Sequence, residues 1–158
     1  ILKVGPALTF AMREVLEALA LIEAELVESD KRSRLVQILE QAMSVDPRHW
    51  EQHYCGDESV KRLLRRYSYS DRVRYYWTTP LVCRTIETLM ANMKGRTIPE
   101  TMLSAFLPEE YAALRAGELE PSAQAIVRHR IRTVLRVYSD ACEARGTATS
   151  EGVRLRRA

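Results

Sequence analysis

The sequence has few cysteines, and their arrangement fits neither a disulfide framework nor a zinc site. Cys55, Cys83 and Cys142 lie far apart in the 158 residues, and no CxxC pair occurs. An odd number of distant cysteines argues against a disulfide-rich secreted protein. The sequence also lacks an apolar run near the roughly 20 residues that span a bilayer. We therefore expect a cytoplasmic protein with no membrane partner.

Several well-known catalytic and phosphate-binding motifs are also missing. The sequence contains no GxxxxGK[ST], no GxGxxG and no GxSxG. These absences argue against a P-loop, a dinucleotide-binding turn and a hydrolase nucleophile elbow in this chain. Only four of the 24 basic residues are lysine, and the net charge is +3. Such a small excess does not by itself indicate nucleic-acid binding. We predict neither a catalytic residue nor a cofactor of its own for this chain.

One segment, HWEQHYC, offers a metal-site hypothesis. His49 and His53 are four residues apart and could coordinate zinc if the segment were helical, with Cys55 as a third ligand. The glutamate does not directly follow the first histidine, so the HExxH arrangement is absent. Pro47 also leaves little room for a rigid helix here. The segment therefore favours a loop anchored by Trp50 over a metal site.

Helical periodicity dominates the chain after residue 9. Thr9 is the predicted N-cap of the first helix, and prolines and glycines separate the later helices. Asp57 is predicted to cap a helix that runs to about Tyr67, and Thr79 to cap a helix whose first residue is Pro80.

A long helix is predicted from about Ser122 to Arg145, followed by a flexible tail over residues 146–158. Only residues 1–4, ILKV, look like a strand. Because a single strand leaves its backbone groups unpaired, it would need neighbours outside this sequence.

The stretch SYSDRVRYYW places arginines among aromatic residues, and the arginine pair Arg65 and Arg66 just upstream extends this arginine-rich pattern. Its spacing predicts a short helix capped by Ser70, with an ion pair between Asp71 and Arg74. The residues expected to be buried on it are Val73, Tyr76 and Trp77. Arg72 and Tyr75 have no predicted internal partner, and a guanidinium group there suits phosphate or carboxylate.

An arginine-rich nucleic-acid-binding module is the alternative interpretation. Arginine interleaved with aromatic rings is typical of such surfaces. The long C-terminal helix adds further basic residues, namely Arg128, His129, Arg130, Arg132 and Arg136. The apolar residues of that helix already predict its inward side. We therefore expect these arginines to face solvent or partner carboxylates, and we predict no nucleic-acid partner.

Three longer stretches resemble a known family. They are LKVGPALTFAMREVLEALA, HWEQHYCGDESVKRLLRRYSYSDRVRYYW and IPETMLSAFLPEEYAALRAGEL. They are similar to the C-terminal part of the non-catalytic subunit of bacterial D-tagatose-1,6-bisphosphate aldolase, a family also labelled tagatose 6-phosphate kinase. The resemblance implies an α/β fold, a (β/α)8 TIM barrel, in the complete protein. Residues 1–30 would be its last strand and helix, and residues 31–145 a mostly α-helical C-terminal extension.

The resemblance also implies a function. The chain would be part of an accessory subunit that stabilises a class II aldolase catalytic subunit. That partner would use zinc to cleave tagatose 1,6-bisphosphate reversibly into glyceraldehyde 3-phosphate and dihydroxyacetone phosphate. A tagatose 6-phosphate kinase or another sugar-phosphate enzyme is the alternative, and a homo-oligomer is left open.

Five residues are candidates for a sugar-phosphate site. Gly5 stands where the related catalytic barrels carry a substrate-contacting asparagine, so that contact would be missing. The absent side chain would let a ligand approach closely. Thr9 would open the last barrel helix, whose amide-rich N-terminus can receive an anion. Ser70, Arg72 and Arg74 complete the predicted phosphate-binding set, with no metal ligand and no catalytic residue in this chain.

Overall fold

The residues that the structure describes form seven α-helices. The structure, a computed structural model, describes the backbone of residues 5–154 and the side chains of residues 5–143. The helices are α1 (Gly5–Leu26), α2 (Leu35–Val45), α3 (Glu58–Tyr67), α4 (Pro80–Met93), α5 (Glu100–Phe106), α6 (Pro108–Arg115) and α7 (Ala123–Arg154). Two short 3-10 helices cover Pro47–His49 and Val73–Tyr75. No strand occurs within the described residues, which confirms a mostly helical chain. The predicted strand over residues 1–4 lies outside them.

Helix α1 is the centre of the packing. It contacts α2, α4, α5 and α7. Its residues Val15, Leu19 and Ile22 are completely buried, at the three- and four-residue spacing that places side chains on one helix face. Surrounding helices then cover much of the rest of α1. This position makes any polar side chain on the inner faces of α1 a structural element, because it must find its partners inside the protein.

The predicted start of the first helix is wrong. Helix α1 begins at Gly5, so Thr9 lies inside it and is not an N-cap. The Thr9 hydroxyl donates to the carbonyls of Gly5, at 3.0 Å, and Pro6, at 3.2 Å. The periodicity predicts helix only after residue 9, whereas proline is well tolerated in the first turn of a helix and Pro6 lies in that turn.

Two other predicted helix starts are confirmed. The Asp57 carboxylate accepts the backbone N–H of Val60 at 3.0 Å and so caps α3. Pro80 is the first residue of α4, as its fixed backbone angle favours. Thr79 precedes it as predicted, but the Thr79 hydroxyl donates to the Tyr76 carbonyl at 2.8 Å and does not cap the helix. That bond ties the start of α4 to the loop before it.

Helix α7 packs mainly through its first turns. Ala123 and Ile126 are buried there, and the helix contacts α1, α4 and α6. Part of the predicted inward face is only half-buried, namely Val127, Ile131, Val134 and Tyr138, and Leu135 and Cys142 are exposed. The backbone stays helical beyond Arg145 to Arg154. The domain limits at residues 30 and 145 and the flexibility of residues 146–158 stay predictions.

Candidate anion-binding site

The loop between α3 and α4 is fastened to α1 by one buried arginine. Arg13 is only 4% exposed, and its Nη1 donates to the Asp71 carboxylate at 2.7 Å. Its Nη2 donates to the Arg65 carbonyl at 3.1 Å and to the Arg66 carbonyl. Its Nε donates to Glu17 at 2.9 Å. Because all three guanidinium nitrogens bond to the chain, Arg13 fixes where residues 68–79 lie.

Two predictions about this loop are therefore wrong. The Asp71 side chain forms an ion pair with Arg13. Arg74 does not bond to the Asp71 side chain but donates to its backbone carbonyl, at 3.1 Å. A nearly fully buried carboxylate needs a buried cation, which the buried guanidinium of Arg13 supplies and the partly exposed Arg74 does not. The predicted helix is only the 3-10 turn Val73–Tyr75, so Ser70 lies outside it and caps nothing. The Ser70 carbonyl instead accepts the Tyr54 hydroxyl at 2.7 Å.

The predicted buried face of this stretch is confirmed. Val73 is 1% exposed, Tyr76 2% and Trp77 8%. The Tyr76 hydroxyl donates to the Asp46 carbonyl, which lies just after α2. Burial raises the pKa of Tyr76, so this group stays a hydrogen-bond donor. The loop is thus held on its inner side by apolar burial and by a bond to a second element.

The outer side of the loop carries the candidate site. It is formed by His49, Arg72, Arg74 and Tyr75, here called the Arg-Tyr surface. The Arg74 guanidinium lies 4.7 Å from the Tyr75 ring centroid, and its Nη2 donates to the Tyr75 hydroxyl at 3.0 Å. The His49 ring stacks on the Tyr75 ring with centroids 4.7 Å apart. Stacking and hydrogen bonding therefore hold Tyr75 and Arg74 in one arrangement.

The charges of this surface are not neutralised within the described part of the chain. There, no carboxylate forms an ion pair with Arg72 or Arg74. The Arg72 Nε is buried and lacks an acceptor. The hydrogen bond and charge of Arg74, helped by Arg72, lower the pKa of Tyr75. An unpaired buried donor beside a second guanidinium suits an anion with several oxygens, such as phosphate or carboxylate.

The other predicted site residues lie on α1. Gly5 is exposed, and an added Cβ would meet nothing within 4 Å, so the described neighbours do not require a glycine there. The Thr9 hydroxyl is engaged by its own helix. The rings of Phe10 and Tyr69 stack with centroids 6.5 Å apart, which brings this part of α1 to the start of the loop. The structure thus places Ser70, Arg72 and Arg74 on one loop, and the roles of Gly5 and Thr9 stay predictions.

The histidines of HWEQHYC do not share a helix face. His49 ends the 3-10 helix and its ring contacts the rings of Tyr75 and Tyr76. His53 and Cys55 are exposed in the turn that follows. Within residues 5–143, no three histidine, cysteine, aspartate or glutamate side chains are grouped to hold a metal ion. These residues therefore do not fit zinc.

The burial of two arginines was not predicted from the sequence. Arg65, read there as part of an arginine-rich surface, is 2% exposed, donates to Glu40 at 2.9 Å and lies 4.7 Å from the Trp50 ring centroid. Arg13 was not singled out at all. One signal was available, because Arg13 lies three residues before Leu16 and so falls on the apolar stripe of α1. A charged residue on such a stripe indicates a buried partner.

Comparison with solved structures finds a close likeness. The chain matches the crystal structure of "a probable tagatose 6 phosphate kinase from Sinorhizobium meliloti 1021" with a TM-score of 0.82 and 40% sequence identity. The match covers 87% of this chain but 35% of that protein, so this chain spans about a third of its length. None of the described helices has the length and apolar character needed to cross a membrane.

Comparison with protein families gives a match over nearly the whole sequence. Residues 1–143 match the family described as "D-tagatose-1,6-bisphosphate aldolase subunit GatZ/KbaZ-like". The resemblance seen in the three long sequence stretches is thereby confirmed. Since the match leaves out only residues 144–158, the chain belongs to the GatZ/KbaZ-like family of D-tagatose-1,6-bisphosphate aldolase subunits.

Proposed function

We propose that this chain is part of an accessory subunit that binds and stabilises the catalytic subunit of a class II tagatose-1,6-bisphosphate aldolase. The observation that carries the proposal is the match of residues 1–143 to the aldolase-subunit family. The (β/α)8 barrel of the complete protein and its cytoplasmic location belong to the same proposal. The accessory role means that this chain contributes binding surface, while the partner carries out the bond cleavage.

The use of the buried charges supports a non-catalytic role. Buried ionisable groups are the usual candidates for acid-base catalysis. Here the buried Arg13 forms an ion pair with Asp71. Glu110 is completely buried and accepts two N–H groups of Arg130 at 2.7 Å each. Both pairs join different parts of the chain, so they serve to hold elements together. We assign the zinc of the aldolase to the partner. His49, the histidine considered as a ligand in this chain, is stacked on the Tyr75 ring.

The Arg-Tyr surface is the proposed anion contact of this subunit. Arg72 and Arg74 would bind either a phosphate of the sugar or carboxylates of the partner, since both present paired oxygens to a guanidinium. Ser70, exposed on the same loop, can add a hydroxyl donor. Gly5 would contribute at the start of α1, whose first backbone N–H groups favour an anion, and Thr9 would lie one turn further along the same helix.

Co-expression of the complete protein with a class II aldolase catalytic subunit tests the proposal. We expect the two proteins to co-purify and the aldolase activity to last longer at a given temperature than that of the catalytic subunit alone. The Arg72→Ala/Arg74→Ala variant should bind less, whereas Arg115→Ala, an exposed arginine on α6, should bind normally. If wild-type protein neither co-purifies nor extends the half-life, the accessory role is wrong.

A sugar-phosphate kinase is the second candidate function. It is favoured by the similarity to the Sinorhizobium meliloti protein, which is described as a probable tagatose 6 phosphate kinase. A coupled assay of ADP release with tagatose 6-phosphate distinguishes the two functions in the complete protein. ADP release with tagatose 6-phosphate at a rate well above the rate measured without sugar would show that the complete protein is a kinase. In that case the accessory role would be replaced by a catalytic one.

A further inference from the structure

A groove that the proposed site does not use lies between α1, α2 and α3. It encloses about 940 Å³. Leu21 of α1 and Leu63 and Tyr67 of α3 line it, and they are 50%, 58% and 63% exposed. Single exposed apolar residues are ordinary on a protein surface. Three large ones that line one concave surface form a patch typical of an interaction site.

Arginines line the same groove on two sides. Arg62 and Arg66 are one helical turn apart on α3, and Arg32 and Arg34 lie on the loop between α1 and α2. Arg32 donates through Nε to the Val27 carbonyl at 2.8 Å, which places its guanidinium without neutralising it. Among the described side chains, none of these four arginines forms an ion pair with a carboxylate.

The acidic residues in the groove wall are already engaged. Glu23 is buried and accepts the backbone N–H of Ser33 at 2.9 Å and the Asn92 amide at 2.6 Å. Glu40 accepts the Arg65 Nε at 2.9 Å. Both carboxylates thus hold other parts of the fold. The groove therefore presents exposed apolar side chains together with four arginines that form no ion pair with the carboxylates of its wall.

The backbone at Arg34 is in a conformation that arginine rarely adopts. Its φ is 56° and its ψ is 36°, the left-handed region, at the residue before α2. Glycine or asparagine occupies this region at much lower cost. An arginine at a strained position on the rim of a charged groove is consistent with a role for its side chain in binding.

We propose that this groove docks an amphipathic helix of a partner protein, with apolar side chains against Leu21, Leu63 and Tyr67 and carboxylates facing the arginines. A groove between helices that combines apolar floor and charged rim is a common receptor for such a helix. Tyrosine and arginine are also the residues that contribute most at interfaces. The inference rests on the proposed function for the partner's identity, which is the class II aldolase catalytic subunit.

Binding of the purified catalytic subunit to the complete protein tests this inference. Arg62→Glu/Arg66→Glu should raise Kd at least tenfold, because it turns attraction to carboxylates into repulsion. Leu63→Asp should weaken binding similarly, and Arg115→Glu, outside the groove, should not. Arg34→Gly should raise Kd without lowering Tm, since glycine relieves the backbone while removing the charge. Circular dichroism melting checks that each exposed substitution leaves the fold intact.

The outcomes separate this inference from the proposed function. Wild-type protein that fails to bind the catalytic subunit overturns both. Binding by the wild type that the groove variants retain overturns the groove assignment alone. If Leu63→Asp instead disperses an oligomer of this protein measured without any partner, the groove belongs to a second copy and the proposal is wrong.

Discussion

Replacing Arg13 by methionine should destabilise the protein more than any exposed arginine substitution. Methionine keeps much of the side-chain volume but removes the charge and every donor. The Asp71 carboxylate, 3% exposed, would then lose its only ion-pair partner among the described side chains, where its second oxygen already has no hydrogen-bond donor. Two backbone carbonyls, those of Arg65 and Arg66, would also lose their bonds to this side chain.

The magnitude follows from this burial. Removing one partner of a buried ion pair costs about 3 to 5 kcal/mol, because the other charge stays desolvated and unpaired. A domain of this kind is stable by only about 5 to 15 kcal/mol. At about 2–4 °C for each kcal/mol, Tm should fall by roughly 6–20 °C. Urea unfolding and thermal melting followed by circular dichroism measure both quantities.

Two controls make this prediction refutable. Arg115→Ala removes an ion pair with Glu100 whose side chains are 65% and 57% exposed, and should cost less than about 1 kcal/mol. Adding Asp71→Asn to Arg13→Met removes the stranded charge and should recover much of the loss. A loss below about 1 kcal/mol for Arg13→Met, or no recovery in the double variant, would show that this ion pair does not hold the loop.

Three further predictions concern other buried and exposed groups. Trp77→Ala should cost about 3 to 5 kcal/mol in urea unfolding, whereas Arg72→Ala should leave Tm nearly unchanged; equal losses would make the arginine structural. Tyr75, with its pKa lowered by Arg74, should ionise below the usual pH in a tyrosinate absorbance titration read against Tyr75→Phe. Its ionisation should therefore favour the folded state increasingly as pH rises through that pKa, and Arg74→Gln should abolish this gain. Glu110→Gln should cost about 2 kcal/mol by weakening two charged hydrogen bonds, and an unchanged Tm would contradict this.

Local sequence signals predicted the helical segments and the starts of two helices, whereas Thr9, Ser70 and Thr79 do not cap as predicted. Asp57 caps α3 and Pro80 opens α4, because capping depends on residues only a few positions apart. The buried face of the aromatic stretch, with Tyr76 and Trp77, followed from hydrophobic spacing alone. The start of α1 was placed at Thr9 because residues 1–4 resemble a strand, whereas the helix already includes Pro6 in its first turn.

Pairing of charges was beyond the sequence argument. Asp71 was assigned to Arg74, three residues away, but its partner is Arg13, which is 58 residues away. Arg65 was read as part of a surface, yet it is buried against Trp50 and Glu40. In each case several neighbours in sequence could have formed an equally good exposed pair. The choice between them depends on which charge loses its water, and that follows only from how the helices pack.

Periodicity and long motifs are properties of neighbouring residues, so the helical character, the family resemblance and the apolar face of the aromatic stretch were accessible from the sequence. Which arginines remain available to a ligand became clear only in the folded chain. Arg13 and Arg65 are buried in ion pairs, whereas Arg72 and Arg74 form no ion pair with a carboxylate among the described side chains. The physical reason is that an arginine's role depends on its desolvation and on partners that folding brings from distant parts of the chain.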